Sequence, residues 1–413
     1  MSVKRFNRRV TDIFASKIHM VSLNQFQKEF LFITHKYPPS TGGMQKQSYE
    51  LITQTEAHRS IHKIVFKSNY PKIFFFLSVT FRAYLKILLH KEIRLIHAND
   101  GLMALFLTPL LFLKNSVHLC ATIHGLDVVF NSAIYQWWIK KYLSRFSFVI
   151  AVSEATQEEC VKAGIPKEKV YFIPNAVELP DQIDKDPSYK KWLFKKHGIP
   201  VNDHFIICSV GRPVPRKGFG WFASKVLPRL ENTKYLVVGT EMESSWIILL
   251  GKKLLPPSIF EKICKMLGVP LDTILLTALS HQNNHLVLMG KIPWDKLLQT
   301  YLHADLFVMP NLKVKGDFEG FGLVALEAAS LGAICLAANV DGIPSAIKNG
   351  ENGFLLESAN ADLWIKKINQ LQNRTILNKY KKDFETYFKR KQTTWKDMSD
   401  AYISLFDSFL SRI

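Results

Sequence analysis

No apolar run in this chain is long enough to cross a membrane. The longest, Leu102 to Leu113, holds about a dozen residues, whereas a spanning helix needs roughly 20; the run predicts a buried helix. A second, Ile73 to Val79, is cut off by Arg82 and Lys86. Cysteine is scarce as well. The five thiols, Cys120, Cys160, Cys208, Cys264 and Cys335, are scattered, odd in number and form no C-x-x-C pair. That excludes a disulfide framework and a thiolate zinc site, and predicts reduced, buried thiols in a cytosolic protein. His97, His281 and His285 stand at no metal-ligand spacing, so no structural metal is expected. The G-x-G-x-x-G dinucleotide fingerprint is missing, and so is a repeat of about 20–50 residues. The stretch before Phe30 is basic and offers only Ile13-Phe14-Ala15 as an apolar core, which is too short for a signal peptide.

Positive charge is what the chain has in excess. Its 54 Lys and Arg face 35 Asp and Glu, a net charge of +19. Such a surplus attracts nucleic acid, anionic lipid or phosphorylated ligands without choosing among them. No aromatic–basic interleaving or known module favours nucleic acid, so none is expected as a partner. The 47% hydrophobic and 22% charged residues mark a globular chain. At 413 residues it has room for two or three domains, each with its own core.

Strand-like and helix-like segments alternate along most of the length. Phe30–Thr34, Ile61–Phe66, Leu95–Ala98, Val117–Ile123, Phe148–Val152 and Val170–Ile173 read as strands, with helices between them: one that starts near Met44 and carries Tyr49, Leu51 and Ile52, then Ile73–Leu89, Leu102–Leu113, Tyr135–Arg145 and Glu154–Ala163. Continuous apolar strands alternating with helices predict a parallel sheet covered on both faces. Residues 178–203 are polar and break the rhythm, marking a domain junction. A second series follows: strands at Phe205–Val210, Tyr235–Gly239, His285–Gly290, Leu306–Pro310, Ala333–Ala337 and Gly353–Leu356, with helices at Trp221–Leu230 and Lys296–His303. Residues 241–284 exceed the length of one crossover and read as an insertion. The chain from Ala361 is helical and ends in an amphipathic helix, Trp395–Phe409.

Candidate chemistry gathers after strand ends. Gly316 to Gly332 reads as a loop that turns into a helix, with carboxylates at Glu319 and Glu327 and glycines at Gly320 and Gly322. The first turn of a helix presents free N–H groups and a positive dipole end, which favours a phosphate. Carboxylates on either side can accept hydrogen bonds from vicinal hydroxyls, as on a sugar and a ribose. Arg212 and Lys217 follow another strand and would clamp a diphosphate. His124 ends a strand in His124-Gly125-Leu126-Asp127. Gly42-Gly43 could place backbone N–H groups near a phosphate or serve as an ordinary turn. Asp184-Lys185-Asp186, the literal Asp-x-Asp of a metal-diphosphate site, lies in the polar junction and reads as linker.

Taken in order, these pieces resemble the retaining GT-B glycosyltransferases of family 4. The matching segments are Pro38-Pro39-Ser40-Thr41-Gly42-Gly43, His124 to Asp127, Ala151-Val152-Ser153, Ile173-Pro174-Asn175, Val210-Gly211-Arg212, Arg216-Lys217-Gly218, Val238-Gly239, Glu319 to Gly322 with Glu327, and Asn349 to Gly353. The resemblance implies an α/β GT-B fold: two facing Rossmann-like parallel-sheet domains with a cleft between them. It implies a basic extension over 1–29, an acceptor-side domain over 30–185, a nucleotide-sugar domain over 186–390, and a C-terminal helix over 391–413 packing back on the first domain. The donor would be a UDP- or GDP-linked sugar. Arg212 and Lys217, helped by the backbone of Phe321, Gly322 and Leu323, would hold its diphosphate. Glu327 would bind the ribose, Glu319 the sugar, and the backbone near Lys291 and Ile292 the base, while Gly43 and His124 approach from the first domain. No metal and no cofactor are implied. The acceptor would be a glycan or lipid-linked hydroxyl, with an anionic membrane surface as a candidate docking partner on the cytoplasmic side. Two rival readings keep the fold and change the activity. One is a turnover-deficient sugar-nucleotide-binding protein, the other a sugar-nucleotide epimerase.

Overall fold

Uninterrupted apolar runs become strands only if both faces are covered, and crossover helices do the covering. The computed structural model describes residues 28–67, 70–113, 117–178, 183–199, 204–239, 256, 272–281, 285–391 and 393–412. Within these residues the runs build two six-stranded sheets. The first contains β1 (Glu29–Thr34), β2 (Ile61–Val65), β3 (Ile93–Ala98), β4 (His118–Ile123), β5 (Phe148–Ala151) and β6 (Val170–Phe172), in the order β2-β1-β3-β4-β5-β6. The second contains β7 (Phe205–Val210), β8 (Thr233–Val238), β9 (Leu286–Gly290), β10 (Leu306–Met309), β11 (Ile334–Ala338) and β12 (Phe354–Leu356), in the order β12-β11-β10-β7-β8-β9. The pairings are parallel.

The helices that position the site are α1 (Gly43–His58), α2 (Lys72–Leu89), α3 (Gly101–Leu107), α4 (Ala133–Lys141), α5 (Glu154–Lys162), α6 (Pro187–His197), α7 (Thr273–His281), α8 (Trp294–His303), α9 (Leu323–Ser330), α10 (Ala361–Gln372), α11 (Arg374–Lys391) and α12 (Trp395–Leu410). Strand order reverses direction between β1 and β3 in the first sheet, and between β7 and β10 in the second. Loops leaving the two strands at such a point diverge and open a crevice beyond their carboxyl ends, where ligands sit.

Helix α12 joins the two halves. A Thr394–Asp397 capping box fixes its start. Phe406 then packs edge-on against Phe30, with ring centroids 5.0 Å apart, and also meets Phe148. Tyr402 Oη lies 3.1 Å from Thr122 Oγ1, and Ser399 Oγ lies 2.9 Å from Thr55 Oγ1. One hydrophobic cluster therefore runs from Phe30 and Phe32 through Trp395 to Met309 and Ala337. His97 is wholly buried in this region, 2.8 Å from Thr122 Oγ1. Burial holds its imidazole neutral, with a pKa near 3.

Several local expectations need correction. The run Leu102–Leu113 is not one helix: α3 stops at Leu107 and a 3-10 turn covers Thr108–Phe112, because Pro109 supplies no N–H to continue the ladder. The helix expected over Trp221–Leu230 breaks into a π turn at Phe222–Val226 and a 3-10 turn at Leu227–Arg229 containing Pro228. The helix expected over Tyr135–Arg145 ends at Lys141 and resumes as a 3-10 turn. The polar junction holds a docked helix, α6. Asp186 caps it by accepting from Ser188 N at 2.8 Å, and Tyr189 Oη lies 2.7 Å from Thr300 Oγ1. Asp186 is thus occupied by capping, and Asp184 is exposed. Of the stretch 241–284, α7 packs on residues 219–226, and its leader Asp272 accepts from Gly220 N. The rest of that stretch apart from 256, the extension up to residue 27, and Cys264 lie outside the described residues.

Candidate functional site

The crevice of the second sheet is built by the loops after β7 and β10. After β7 the chain makes a 3-10 turn, Pro215–Lys217, that draws Arg216 and Lys217 inward; both side chains are about 90% buried. After β10, Asn311 is fully buried and the loop returns to Glu319. Oε2 of Glu319 accepts from three donors: Lys217 Nζ at 2.6 Å, Asn311 Nδ2 at 3.1 Å and Arg216 Nη1. Arg216 Nε also reaches Asp317 Oδ1 at 3.0 Å. The backbone N–H of Glu319 donates to Asp341 Oδ2 at 3.1 Å, which fixes the loop from the β11 side.

Electrostatics follow from this packing. Burial alone would raise the Glu319 pKa, but Lys217 and Arg216 outweigh it and pull the carboxyl down to about 2. Burial lowers the Lys217 pKa, and Glu319 opposes the fall. For Arg216 burial also disfavours charge, yet Glu319 and Asp317 hold the guanidinium above its ordinary value. The centre is therefore an ionised carboxylate with two buried cations. Arg212, expected beside Lys217, is exposed, and its charge disfavours a second cation at Lys217. Asn311 Oδ1 is buried and meets no donor among the described residues.

Helix α9 begins beside this cluster. Its N-cap, Gly322, has φ +90°, a conformation natural only to glycine, and no side chain caps the first turn. The free N–H groups there can receive an anion. Phe321 and Leu323 are buried around it. Glu327 lies on the second turn, 4% exposed, and its Oε1 accepts from Lys46 Nζ at 2.7 Å. Lys46 comes from α1 of the other domain, so this ion pair crosses the cleft. The same ammonium lies 4.7 Å from the Trp294 ring centroid, just past the exposed Lys291 and half-buried Ile292 that follow β9.

The first domain meets the same loop from the opposite side. A Cβ on Gly320 would stand 2.1 Å from the carbonyl oxygen of His124, so glycine alone permits the approach. His124 Nε2 donates to the carbonyl of Asn99 at 2.9 Å, and its backbone N–H reaches Asp127 Oδ2 at 2.7 Å. Burial raises the Asp127 carboxyl pKa. Close by, His35 Nδ1 lies 3.1 Å from Asp100 Oδ2, both buried at the carboxyl ends of β1 and β3. Gly43 opens α1 and faces Leu323, whose side chain would be 3.8 Å from an added Cβ.

The structure thus brings Lys217, Glu319, Phe321, Gly322, Leu323 and Glu327 to one crevice, with Gly43 and His124 across from it. Lys291 and Ile292 stand at its outer edge. Sequence reasoning passes over Arg216, Asn311, Lys46, Trp294, His35 and Asp100. Arg216 sits inside a recognised segment and could be found there. The others depend on which loops the fold brings together.

Comparisons with known proteins bear on the family and the fold. The family model described as glycosyltransferase family 4 matches residues 30–180, and that described as glycosyl transferases group 1 matches residues 190–391. The capsular polysaccharide biosynthesis glycosyltransferase CapM of Staphylococcus aureus is 27% identical over 264 residues, 62% of this chain and 60% of that protein. The UDP-Gal:alpha-D-GlcNAc-diphosphoundecaprenol alpha-1,3-galactosyltransferase of Escherichia coli is 26% identical, covering 59% of this chain and 56% of its own length. The chain therefore matches less than two thirds of either relative. Among solved structures, HepE of Anabaena in complex with UDP and glucose superposes with a TM-score of 0.68 at 19% identity, covering 92% of this chain and all of HepE; at that identity the likeness is one of fold.

Proposed function

Because this chain belongs to the glycosyltransferases of the group 1 and family 4 type, we propose that it moves a hexose from a UDP- or GDP-linked sugar to a hydroxyl of a glycan or lipid-linked acceptor, with retention. The observation that carries the reading is the cluster of Glu319, Lys217 and Arg216 beside the uncapped start of α9. In the transfer the bond from the anomeric carbon to the diphosphate breaks, the acceptor oxygen bonds that carbon, and the hydroxyl proton passes to the leaving diphosphate. Negative charge then grows on the leaving diphosphate. Lys217, Arg212 and the N–H groups of Phe321, Gly322 and Leu323 meet that charge, and Gly43 admits the phosphates closely. Charge stabilisation of this kind contributes about 3 kcal/mol per donor. Glu319 receives a sugar hydroxyl, Glu327 the ribose hydroxyls, and the backbone at Lys291 and Ile292 the base. His124 stands beside the sugar on the acceptor side. No metal is needed in these roles.

A synthesis assay with UDP-glucose, UDP-galactose, UDP-N-acetylglucosamine and GDP-mannose, plus a bacterial lipid-linked acceptor fraction, tests the reading. We expect acceptor-dependent release of one nucleoside diphosphate, and an α-linked product by NMR. A β-linked product ends the claim of retention; release that ignores acceptor ends the claim of transfer.

A surface on the first domain supports the acceptor class. Helix α2 buries Phe75, Val79, Ala83 and Ile87 against its sheet, as any covering helix does. It also turns Phe74, Leu77 and Phe81 outward, at 58%, 70% and 62% exposure, with Leu85 and Leu88 continuing the stripe. Lys72, Arg82 and Lys86 flank it. Basic helices with an outward apolar face lie on anionic bilayers. No helix among the described residues is long and apolar enough to cross a membrane. We expect sedimentation with phosphatidylglycerol vesicles at physiological salt, and its loss in the triple variant Phe74→Ser, Leu77→Ser, Phe81→Ser. Unchanged sedimentation of that variant would remove α2 as the docking element.

A further inference from the structure

At the opposite end of the first sheet, where the strands begin, three metal-ligand side chains converge, His62, His90 and Glu92, with Glu29 beside His62. Glu29 opens β1, His62 is the second residue of β2, His90 is the C-cap of α2, and Glu92 immediately precedes β3. Side chains alternate along a strand, and β1 and β2 pair with Leu31 opposite His62. Glu29 and His62 therefore share the sheet face that α2 covers, directly under its last turn. His62 Nε2 lies 2.7 Å from Glu29 Oε2 and 3.6 Å from Glu92 Oε1, while His90 Nδ1 lies 3.1 Å from Glu92 Oε1. The ligand atoms of His62, His90 and Glu92 all lie within 4.8 Å of one another. The two imidazole rings are 4.2 Å apart. Buried His62 Nε2 meets no well-aligned hydrogen-bond partner among the described residues, despite the nearness of Glu29.

We propose that His62, His90 and Glu92 bind a divalent transition metal of the zinc type, with water in the fourth position. Zinc takes imidazole nitrogen and carboxylate oxygen at about 2.0–2.2 Å, so the edges of its tetrahedron are roughly 3.3 Å long. The separations of 3.1 and 3.6 Å bracket that edge. Glu92 as a ligand and Glu29, 2.7 Å from His62 Nε2, bring two carboxylates to the neighbourhood of a divalent charge. The negative end of an 18-residue helix adds to the field that a cation would feel. Imidazole donors favour zinc, cobalt or nickel over magnesium and calcium. His90 and Glu92 are about a third exposed, which leaves a path for entry. The strands place this site roughly 20 Å from the interdomain cleft. The metal would tie together the starts of β2 and β3 and the end of α2, a structural clip that takes no part in the transfer.

The full-length chain, stripped with chelator, should bind one equivalent of zinc in equilibrium dialysis and raise its melting temperature. With cobalt it should show the visible absorption of four-coordinate geometry. His62→Ala and His90→Ala should each weaken binding by at least about tenfold, the lower bound for even an outer-shell loss. Far-ultraviolet circular dichroism of the variants reports whether they still fold, and the cobalt spectrum needs no variant at all. Absence of a saturable zinc site in the wild-type chain overturns the proposal. So does equal affinity in the folded double variant, or a six-coordinate cobalt spectrum.

Discussion

Lys217→Ala is expected to lower transfer by about a thousandfold, the upper end of what one preorganised charge donor contributes. Lys217 is buried beside Glu319 and close to the start of α9. Its ammonium cannot move away into solvent, so its charge is already placed before the donor binds. Preorganised charge stabilises a leaving diphosphate more than a mobile surface cation does, because no reorganisation is needed as the bond breaks. Arg216 keeps its bonds to Glu319 and Asp317 in the variant, so the loop stays anchored. Turnover should therefore fall far more than stability, and a urea titration measured beside the assay separates the two. A Lys217→Ala protein with normal turnover would remove this residue from the chemistry.

Glu319→Gln is expected to lose both turnover and stability. The carboxylate receives Lys217, Asn311 and Arg216 on one oxygen. Glutamine leaves the two buried cations with Asp317 as the remaining contact anion. Uncompensated buried charge costs about 3–5 kcal/mol. The pH dependence gives a sharper signature. The Glu319 pKa falls from 4.5 to about 2 on folding. A depressed carboxylate contributes stability above its unfolded pKa and loses it as the pH falls through the folded one. The contribution is therefore complete at pH 7 and disappears between about 4.5 and 2. Urea unfolding of wild type and variant should show a gap of about 3 kcal/mol at neutral pH that narrows through this acid window. A gap independent of pH would mean that glutamine disturbs packing rather than charge.

Much of this site is legible in the chain. Apolar runs alternating with helices indicate the two parallel sheets, because a strand covered on both faces leaves a continuous signature. The ordered segments from Pro38 to Gly353 locate the crevice. Arg212 is readable as a cation after a strand, but its exposure is not, because sequence does not say which of two neighbouring cations the loop turns inward. Arg216 and Lys217 face inward through a 3-10 turn that Pro215 begins. The Lys46–Glu327 pair is invisible for another reason: it joins two domains, and nothing in either segment reports their docking. His62, His90 and Glu92 carry no motif spacing. His62 meets the His90–Glu92 pair only because β2, β1 and β3 lie side by side and α2 ends over them. Helix interruptions at Pro109 and Pro228 are readable from proline chemistry, and the apolar pattern around them conceals the signal.

Where a nucleoside diphosphate binds is the central point. Isothermal titration of UDP and of GDP into the wild-type chain and into Lys217→Ala measures this without knowledge of the sugar or acceptor. One of the two nucleotides should bind the wild type at a single site, and Lys217→Ala should weaken it by about a hundredfold, as loss of a buried charge-assisted contact implies. Equal affinity in both proteins, or no binding of either nucleotide to the wild type, would contradict the donor site described here.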